Sequence, residues 1–544
     1  LAEALILTAN VDEAWALLDE AQRHADAAEK IDLQRLRLAI AVYKGDMLQA
    51  LTLGLQTLEQ LGVVLPSENS AINSLVRTRL EELAQHLSDR SPEEILALPT
   101  VEDRRVLTAM NVIASLNPAA YQVDRSLFAL LTVTMVDLCL AHGHAPVSCR
   151  AYSTLAIMLV AQGQRELGYE VGQLAVALEE RQRTREYRSS IHFQVSAFVA
   201  CWKDPLADVC LRMFEAAADG YESGDYLHMG YNAAIGALYA LHQGAQLDSL
   251  ATRVEHWSRL AAQARETVND RTLSNIRQFI VALQSPGTET SNLWNNTQEI
   301  TSCLDELTRE RNLSQRFHHE QLLLELRYLQ GRYADAREVA SRQRELIPAV
   351  DGLLSVEFYF LYSGLAHCAA VRRREELSAE DSEHLDACIQ RLRGLSTTPH
   401  DHLLPLLEAE VARIEGDQLR AMRRYDEAIH GASRRSDTRL AALSNERAGL
   451  SWYREGKRSF ARGYLRSAHR LFERWGALAI AQRIDEEYPD LALEDGERGL
   501  GSAGSSSTSA DAVDLVTVLD AAHAIAELTD PDELLALAIR RMLE

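Results

Sequence analysis

The chain has 544 residues, with 56 Lys and Arg against 79 Asp and Glu, a formal net charge of -23 at pH 7. A nucleic-acid footprint shows as a basic face or stripe, so this balance argues against one; Arg-rich pieces such as VRRREELS and GASRRSDTR sit among acids and read as solvated helix ends. Hydrophobic content of 47% with only 6% aromatics is the profile of an all-α protein packed through small contacts, and no run of alternating β-branched residues stands out.

Taken in order, the chain opens on Leu1 rather than Met, inside a helical pattern and without a signal peptide, so the expectation is an excised piece of something longer. Counted from Ala9, ANVDEAWALLDEA puts Ala14, Leu18 and Ala21 at offsets +5, +9 and +12. From Gly45, GDMLQALTLGLQT puts Ala50, Gly54 and Thr57 at the same three places, and from Gly163 the positions are Gly168, Gly172 and Ala175. GRYADAREVA places Ala336 and Ala340 at +5 and +9 from Gly331. GDQLRAMRRYDEAIHGA places Ala421 and Ala428 at +5 and +12 from Gly416, and GKRSFARGYLRSAHRLF places Ala461, Leu465 and Ala468 after Gly456. Offsets +5 and +12 differ by 7, two helical turns, so the small residues form one stripe that lets a second helix come close. The glycine ends the preceding helix in the left-handed conformation. Neighbouring starts lie 36 residues apart (Ala9 to Gly45) and 40 apart (Gly416 to Gly456), near the ~34 of a tetratricopeptide unit.

Prolines 66, 99, 118, 146, 205, 286, 348 and 399 punctuate the helical pattern and read as helix-to-helix turns. The expected fold is an all-α, tetratricopeptide-like solenoid of antiparallel helix pairs in a superhelix. Its N-terminal part covers residues 1-290 and its C-terminal repeats 291-495, with QSPGTETSNLWNN at 284 to 296 as the soft boundary. A flexible Gly/Ser-rich linker follows at 496-510, and 511-544 resumes as an amphipathic helix with Leu515, Val518, Leu519, Ala522 and Ile525 on one face. Such a helix opens a further, truncated domain or pairs with its twin in a homodimer.

Catalytic signatures are absent from these residues. REGKRS resembles the tail of a phosphate-binding loop, but Ser451 stands where its first glycine belongs and Arg458 where Ser or Thr would hold magnesium. Neither HExxH nor HRDxxxxN occurs. No cofactor, metal or catalytic residue is expected. The pairs His142/His144, His318/His319 and His400/His402 lack zinc-module spacing and read as turn histidines at helix ends. Seven cysteines, Cys139, Cys149, Cys201, Cys210, Cys303, Cys368 and Cys388, show no CxxC spacing and read as reduced, buried thiols of a cytoplasmic protein. LFALLTVTMV, followed by Asp137, reads as a core helix, so no membrane span is expected. FYFLY at 358 to 362 and Trp452/Tyr453 read as core, with a ligand groove as the alternative.

Several stretches carry a resemblance together: LNPAAYQVDRSLFALLTVTMVDLCLAHGHAPVSCRAYSTLA, GYESGDYLHMGYNAA, LLSVEFYFLYSGLA, HLLPLLEAEVARIEGDQLRAMRRYDEAI, and AHRLFERWGALAIAQRIDEEYP followed by VDLVTVLDAAHAIAELTDPDELL. In this order they resemble the helical region of large bacterial sensor kinases. There a serine/threonine-kinase-like domain precedes a STAND-type ATPase, tetratricopeptide-like helices, a GAF domain and often a histidine kinase. The resemblance implies a non-catalytic scaffold that couples a nucleotide switch to a GAF and kinase output, with protein partners in its concave groove or within the same chain. Two other readings are a ligand- or peptide-sensing module that relieves autoinhibition, and the helical arm of a STAND-type transcription activator.

Overall fold

The computed structural model describes residues 46–181, 186–266, 269–285, 304–309, 312–370 and 378–491, with scattered positions between 17 and 41. Helices follow one another in chain order: α1 Met47–Gln60, α2 Asn69–Ser88, α3 Pro92–Leu96, α4 Arg104–Val123, α5 Arg125–His142, α6 Ser148–Ala161 and α7 Arg165–Glu180. Then come α8 Arg188–Phe198, α9 Leu206–Ser223, α10 Tyr226–His242, α11 Leu247–Ala264 and α12 Asp270–Gln284. The C-terminal series is α13 Leu313–Leu329, α14 Tyr333–Gln343, α15 Ser355–Ala370, α16 Ala379–Arg393, α17 Leu404–Glu415, α18 Gln418–Arg434, α19 Thr438–Arg454, α20 Arg458–Trp475 and α21 Leu478–Glu487. Among the described residues the only β pairing is an isolated bridge between Thr100 and His144. Gly45, Cys303, most of the 284 to 296 boundary, the Gly/Ser linker and the 511-544 helix lie outside the described residues.

Helix starts are written locally. Asp46, Asp103, Asp124, Asp225, Asn312, Asp417 and Asp437 each accept a first-turn backbone N–H through their side chains, and Ser91 and Glu94 form a reciprocal capping box; such caps contribute about 1 kcal/mol each. The hairpin between α17 and α18 turns within two residues. Gly416 adopts φ 83° as the left-handed cap of α17, and Asp417 immediately caps α18. Gly163, Gly331 and Gly456 likewise have positive φ, at 83°, 75° and 72°.

The helices are of two kinds. Outer ones such as α18 and α20 bury one stripe: Ala421, Tyr425, Ala428 and Ala432 in α18, and Ala461, Leu465, Ala468, Phe472 and Trp475 in α20. Inner ones are buried all round, as α19 is without a break from Arg439 to Ser451 and α13 from Phe317 to Leu329. Close packing between the kinds depends on missing side chains: a Cβ on Gly449 of α19 would stand 2.7 Å from Leu465 of α20. Ala50, Gly168 and Ala336 are buried as well, whereas Ala21, though on the repeat spacing, is exposed.

The stack also closes on itself. The Tyr239 hydroxyl donates to Ala197 O at 2.8 Å and accepts the Leu354 amide at 3.0 Å, the Trp475 indole donates to Ala245 O at 3.0 Å, and α12 packs against both α13 and α21.

One expectation changes. SLNPAAY is not a turn: α4 runs through Pro118, and burial of Ile113, Leu116, Ala119 and Ala120 outweighs the one backbone hydrogen bond a proline removes. α5 has the length and composition of a membrane span, yet it packs as a core helix, with Leu130, Leu131 and Val136 buried. Its Asp137 is held by Arg79, whose NH2 and Nε reach the carboxylate at 2.5 and 3.0 Å.

Ala428 has no exposed surface. Ala428→Trp should force α18 from its neighbours and lower stability by about 3 kcal/mol or more through overpacking. Thermal unfolding followed by circular dichroism checks it; an unchanged midpoint would remove Ala428 from the packing seam.

Candidate functional site

Since the inner helices are buried on every side, their polar residues must satisfy one another. Glu410 of α17 is the densest case. Its Oε1 accepts Tyr425 Oη at 2.5 Å and Arg447 Nε at 2.9 Å; its Oε2 accepts Arg447 NH2 at 2.9 Å and Arg413 NH2 at 2.8 Å. Arg413 also donates to Cys368 O at 2.9 Å, and Arg447 NH1 to Tyr333 Oη at 3.0 Å. One carboxylate thereby joins α14, α15, α17, α18 and α19. Burial alone would raise the Glu410 pKa, but Arg413 and Arg447 outweigh it and hold the group well below the usual carboxylate range.

A second knot spans a longer loop of chain. Arg439 of α19 pairs with Glu325 of α13 at 2.7 Å, both side chains fully buried, and donates to His242 O of α10 at 3.0 Å. His242 Nε2 reaches Glu325 at 3.2 Å, and its ring stacks on Phe358 at 4.0 Å. The Arg439 guanidinium lies 4.9 Å from the Phe358 ring centre and 5.7 Å from that of Tyr362. FYFLY is therefore core: Phe358, Tyr359, Leu361 and Tyr362 are buried, and only Phe360 is half-exposed.

One histidine pair departs from the helix-end expectation, whereas His142 is the last residue of α5 and His400 and His402 stand at the short helix Asp401–Leu403. His318 and His319 lie in mid-α13 and are buried, because that helix is enclosed by its neighbours. His400 Nε2 reaches Cys201 O at 2.7 Å, and His144 reaches the Tyr152 hydroxyl at 3.2 Å. In a further group His384 bonds Ser363 Oγ at 2.8 Å, touches Arg344, and stands 4.2 Å ring to ring from His367. Among the described residues no three His, Cys, Asp or Glu side chains are grouped to hold a metal ion. Burial pushes Cys139, Cys210 and Cys388 up to about 12, and the described cysteines are free thiols.

These arrangements brace helices. The helices α13, α15, α17 and α19 are buried largely against the chain's own side chains. The open surfaces lie on outer helices, as in the shallow groove lined by Leu419, Arg420, Arg423, Arg424 and Glu427 on α18. Sequence reasoning missed Glu325, Glu410, Arg439 and Arg447; its sole local signal was Arg413 one turn after Glu410 in LEAEVARIEG.

Removing one partner of a buried pair strands the other charge. Glu410→Gln should therefore cost about 3 to 5 kcal/mol, read as a lower urea midpoint, while replacing Glu410, Arg413 and Arg447 together by apolar residues should cost less than the single change. Equal losses for both would show that the arginines are not stranded.

Acid should also weaken the fold. Burial lowers His400 to about 4, with His402 and Arg435 adding to the effect, and lowers His318 to about 3 and His319 to about 4. The unfolded chain takes up these protons near pH 6.5, before the folded one does, so unfolding free energy falls between pH 6.5 and 4 and this contribution is absent above that window. The lowered carboxylates Glu325 and Glu410 act in the same direction at more acid pH. His400→Gln should flatten the dependence by about 3 kcal/mol at pH 4. Urea titrations from pH 7 to 4 check it; parallel curves for wild type and variant would refute it.

No protein family matches this chain, and no curated protein does. Among solved structures the chain is similar to one titled "Circular tandem repeat protein with novel repeat topology and enhanced subunit contact surfaces", at 14% identity over 85% of this chain and 95% of that one. The TM-score is 0.15, and at that score the likeness carries no argument.

Proposed function

We propose that this chain is a non-catalytic helical-repeat scaffold: the cytoplasmic regulatory region of a multidomain bacterial sensor kinase, coupling a STAND-type nucleotide switch to a GAF and kinase output. The resemblance read in the sequence motivates the flanking domains. The observation that supports a mechanical role is the pair of buried charge knots, which join helices 114 residues apart at Glu325 and Arg439 and 37 apart at Glu410 and Arg447. A displacement of α19 must move α10, α13 and α17 or expose an unpaired charge, so the stack transmits displacement rather than absorbing it. The partners are protein surfaces, met on the outer helices and at the ends of the array.

The burial of FYFLY favours this reading over the ligand-sensing module, because those aromatics were its candidate groove. The transcription-activator arm ranks behind both.

The test is made on the full-length protein. Its coding region should carry a phosphate-binding loop upstream and GAF and kinase motifs downstream of these residues. Glu410→Gln should then leave ATP hydrolysis within about twofold of wild type while abolishing the nucleotide dependence of autophosphorylation. A helix-turn-helix downstream, or nucleotide-dependent output unchanged in the variant, would sink the reading.

A further inference from the structure

The last described repeat is incomplete. α20 is the second helix of a hairpin and α21 the first helix of the next, but the 19 residues that follow Leu491, ALEDGERGLGSAGSSSTSA, have no apolar period with which to build that repeat's second helix. The side of α20 that such a helix would cover is left facing outward.

That side is basic. Arginine recurs at every fourth position of α20, as Arg458, Arg462, Arg466, Arg470 and Arg474, against the single acid Glu473. Each step of four turns the azimuth by about 40°, so the row begins beside α21 and curls toward solvent. The two edges of the face are fixed by contacts. On one, His469 meets Asp485 of α21 at 2.9 Å, and Tyr453, with the Arg458 guanidinium 3.8 Å from its ring centre, meets Tyr488 at 4.8 Å. On the other, Tyr464 donates to Asp426 of α18 at 3.0 Å. Arg462 is exposed, and Arg466 is half-buried with its Nε buried and lacking a hydrogen-bond partner. In a chain of net charge -23 this is a concentrated patch of the opposite sign.

The same chain supplies a complement. Residues 511–530, DAVDLVTVLDAAHAIAELTD, hold Asp511, Asp514, Asp520, Glu527 and Asp530 with no Lys or Arg; at helical spacing Asp514 and Asp530 border the apolar stripe of Leu515, Val518, Leu519, Ala522 and Ile525, while Asp520 and Glu527 fall on the opposite side. The described chain ends at Leu491, which is buried and donates to Tyr488 O, and Tyr488 in turn meets Tyr453, over which Arg458 lies. A Gly/Ser-rich tether of the length of 492–510 spans about 24 Å r.m.s., and a helix as long as α20 measures about 27 Å, so the tether reaches the whole row.

We propose that residues 511–530 dock in cis on the Arg458, Arg462 and Arg466 face of α20, as the second helix that completes the last repeat. Tyr453, Tyr488 and the arginine stems give the apolar floor, and the acids flanking the stripe meet the guanidinium groups. The proposal stands on the α20 surface and does not need the sensor-kinase reading.

Hydrogen exchange by mass spectrometry on the complete 544-residue chain tests it. Amides of 511–530 should exchange at least about tenfold more slowly than in the isolated peptide, independently of protein concentration. Arg462→Glu with Arg466→Glu should remove that protection, as should 1 M salt, with the α19 amides unchanged as the control for folding. Asp514→Arg with Asp530→Arg should remove it too, and all four substitutions together should restore it. Exchange at the peptide's rate in the wild-type chain, or protection indifferent to the arginine reversals, would overturn the proposal. Protection that vanishes on dilution would overturn it in favour of a second copy.

Discussion

A carboxylate sealed among helices can stay ionised only if cations meet it at fixed distances, and the C-terminal half of this chain is organised around that requirement. Glu410 is gripped at both oxygens by Arg447, with Arg413 adding a second donor at Oε2 and the Tyr425 hydroxyl a second at Oε1. Arg447 in turn fixes Tyr333, and Arg413 fixes the end of α15 through Cys368 O. The register of five helices thus depends on one side chain. Hydrophobic contact alone would tolerate sliding by a turn; a bidentate guanidinium does not.

The superhelix therefore spends its inner surface on itself. Repeat arrays with open curvature offer a concave face to ligands. Here the inner helices carry Glu325, Arg439 and His242 beside the rings of Phe358 and Tyr362, all withdrawn from water. What remains for recognition is the amphipathic outer layer, where α18 and α20 each keep a narrow buried stripe and display arginine elsewhere.

Local features of this architecture were legible in the sequence because local chemistry sets them. Alanines two turns apart and the glycines before them act within a few residues, and they stand where hairpins turn. The inner helices were not legible for the opposite reason. LSNERAGLSWYR looks like a solvated, amphipathic stretch; whether Arg447 is buried depends on Glu410 and Tyr333, 37 and 114 residues away. His318 and His319 misled in the same manner, since nothing near them in sequence reveals that α13 is enclosed. Pro118 misled through a rule that burial overrides. The arginine row of α20 drew no reading from the sequence, where only Ala461, Leu465 and Ala468 of that stretch stood out.

The phenol of Tyr239 bridges Ala197 on one side and Leu354 on the other, across a loop of 115 residues. In an open array each unit would form on its neighbour, so that assembly could start anywhere and spread, and a truncated array would be a shorter version of the same object. The Tyr239 bridge and the Trp475 contact with Ala245 break that independence, because they form only after long stretches of chain have been brought together. Folding should then have a slow, late stage set by closure of the stack, with the hairpins formed earlier and cheaply reversible. A cut anywhere between α10 and α15 yields two pieces that each lack a partner for the other's buried groups, rather than two smaller solenoids.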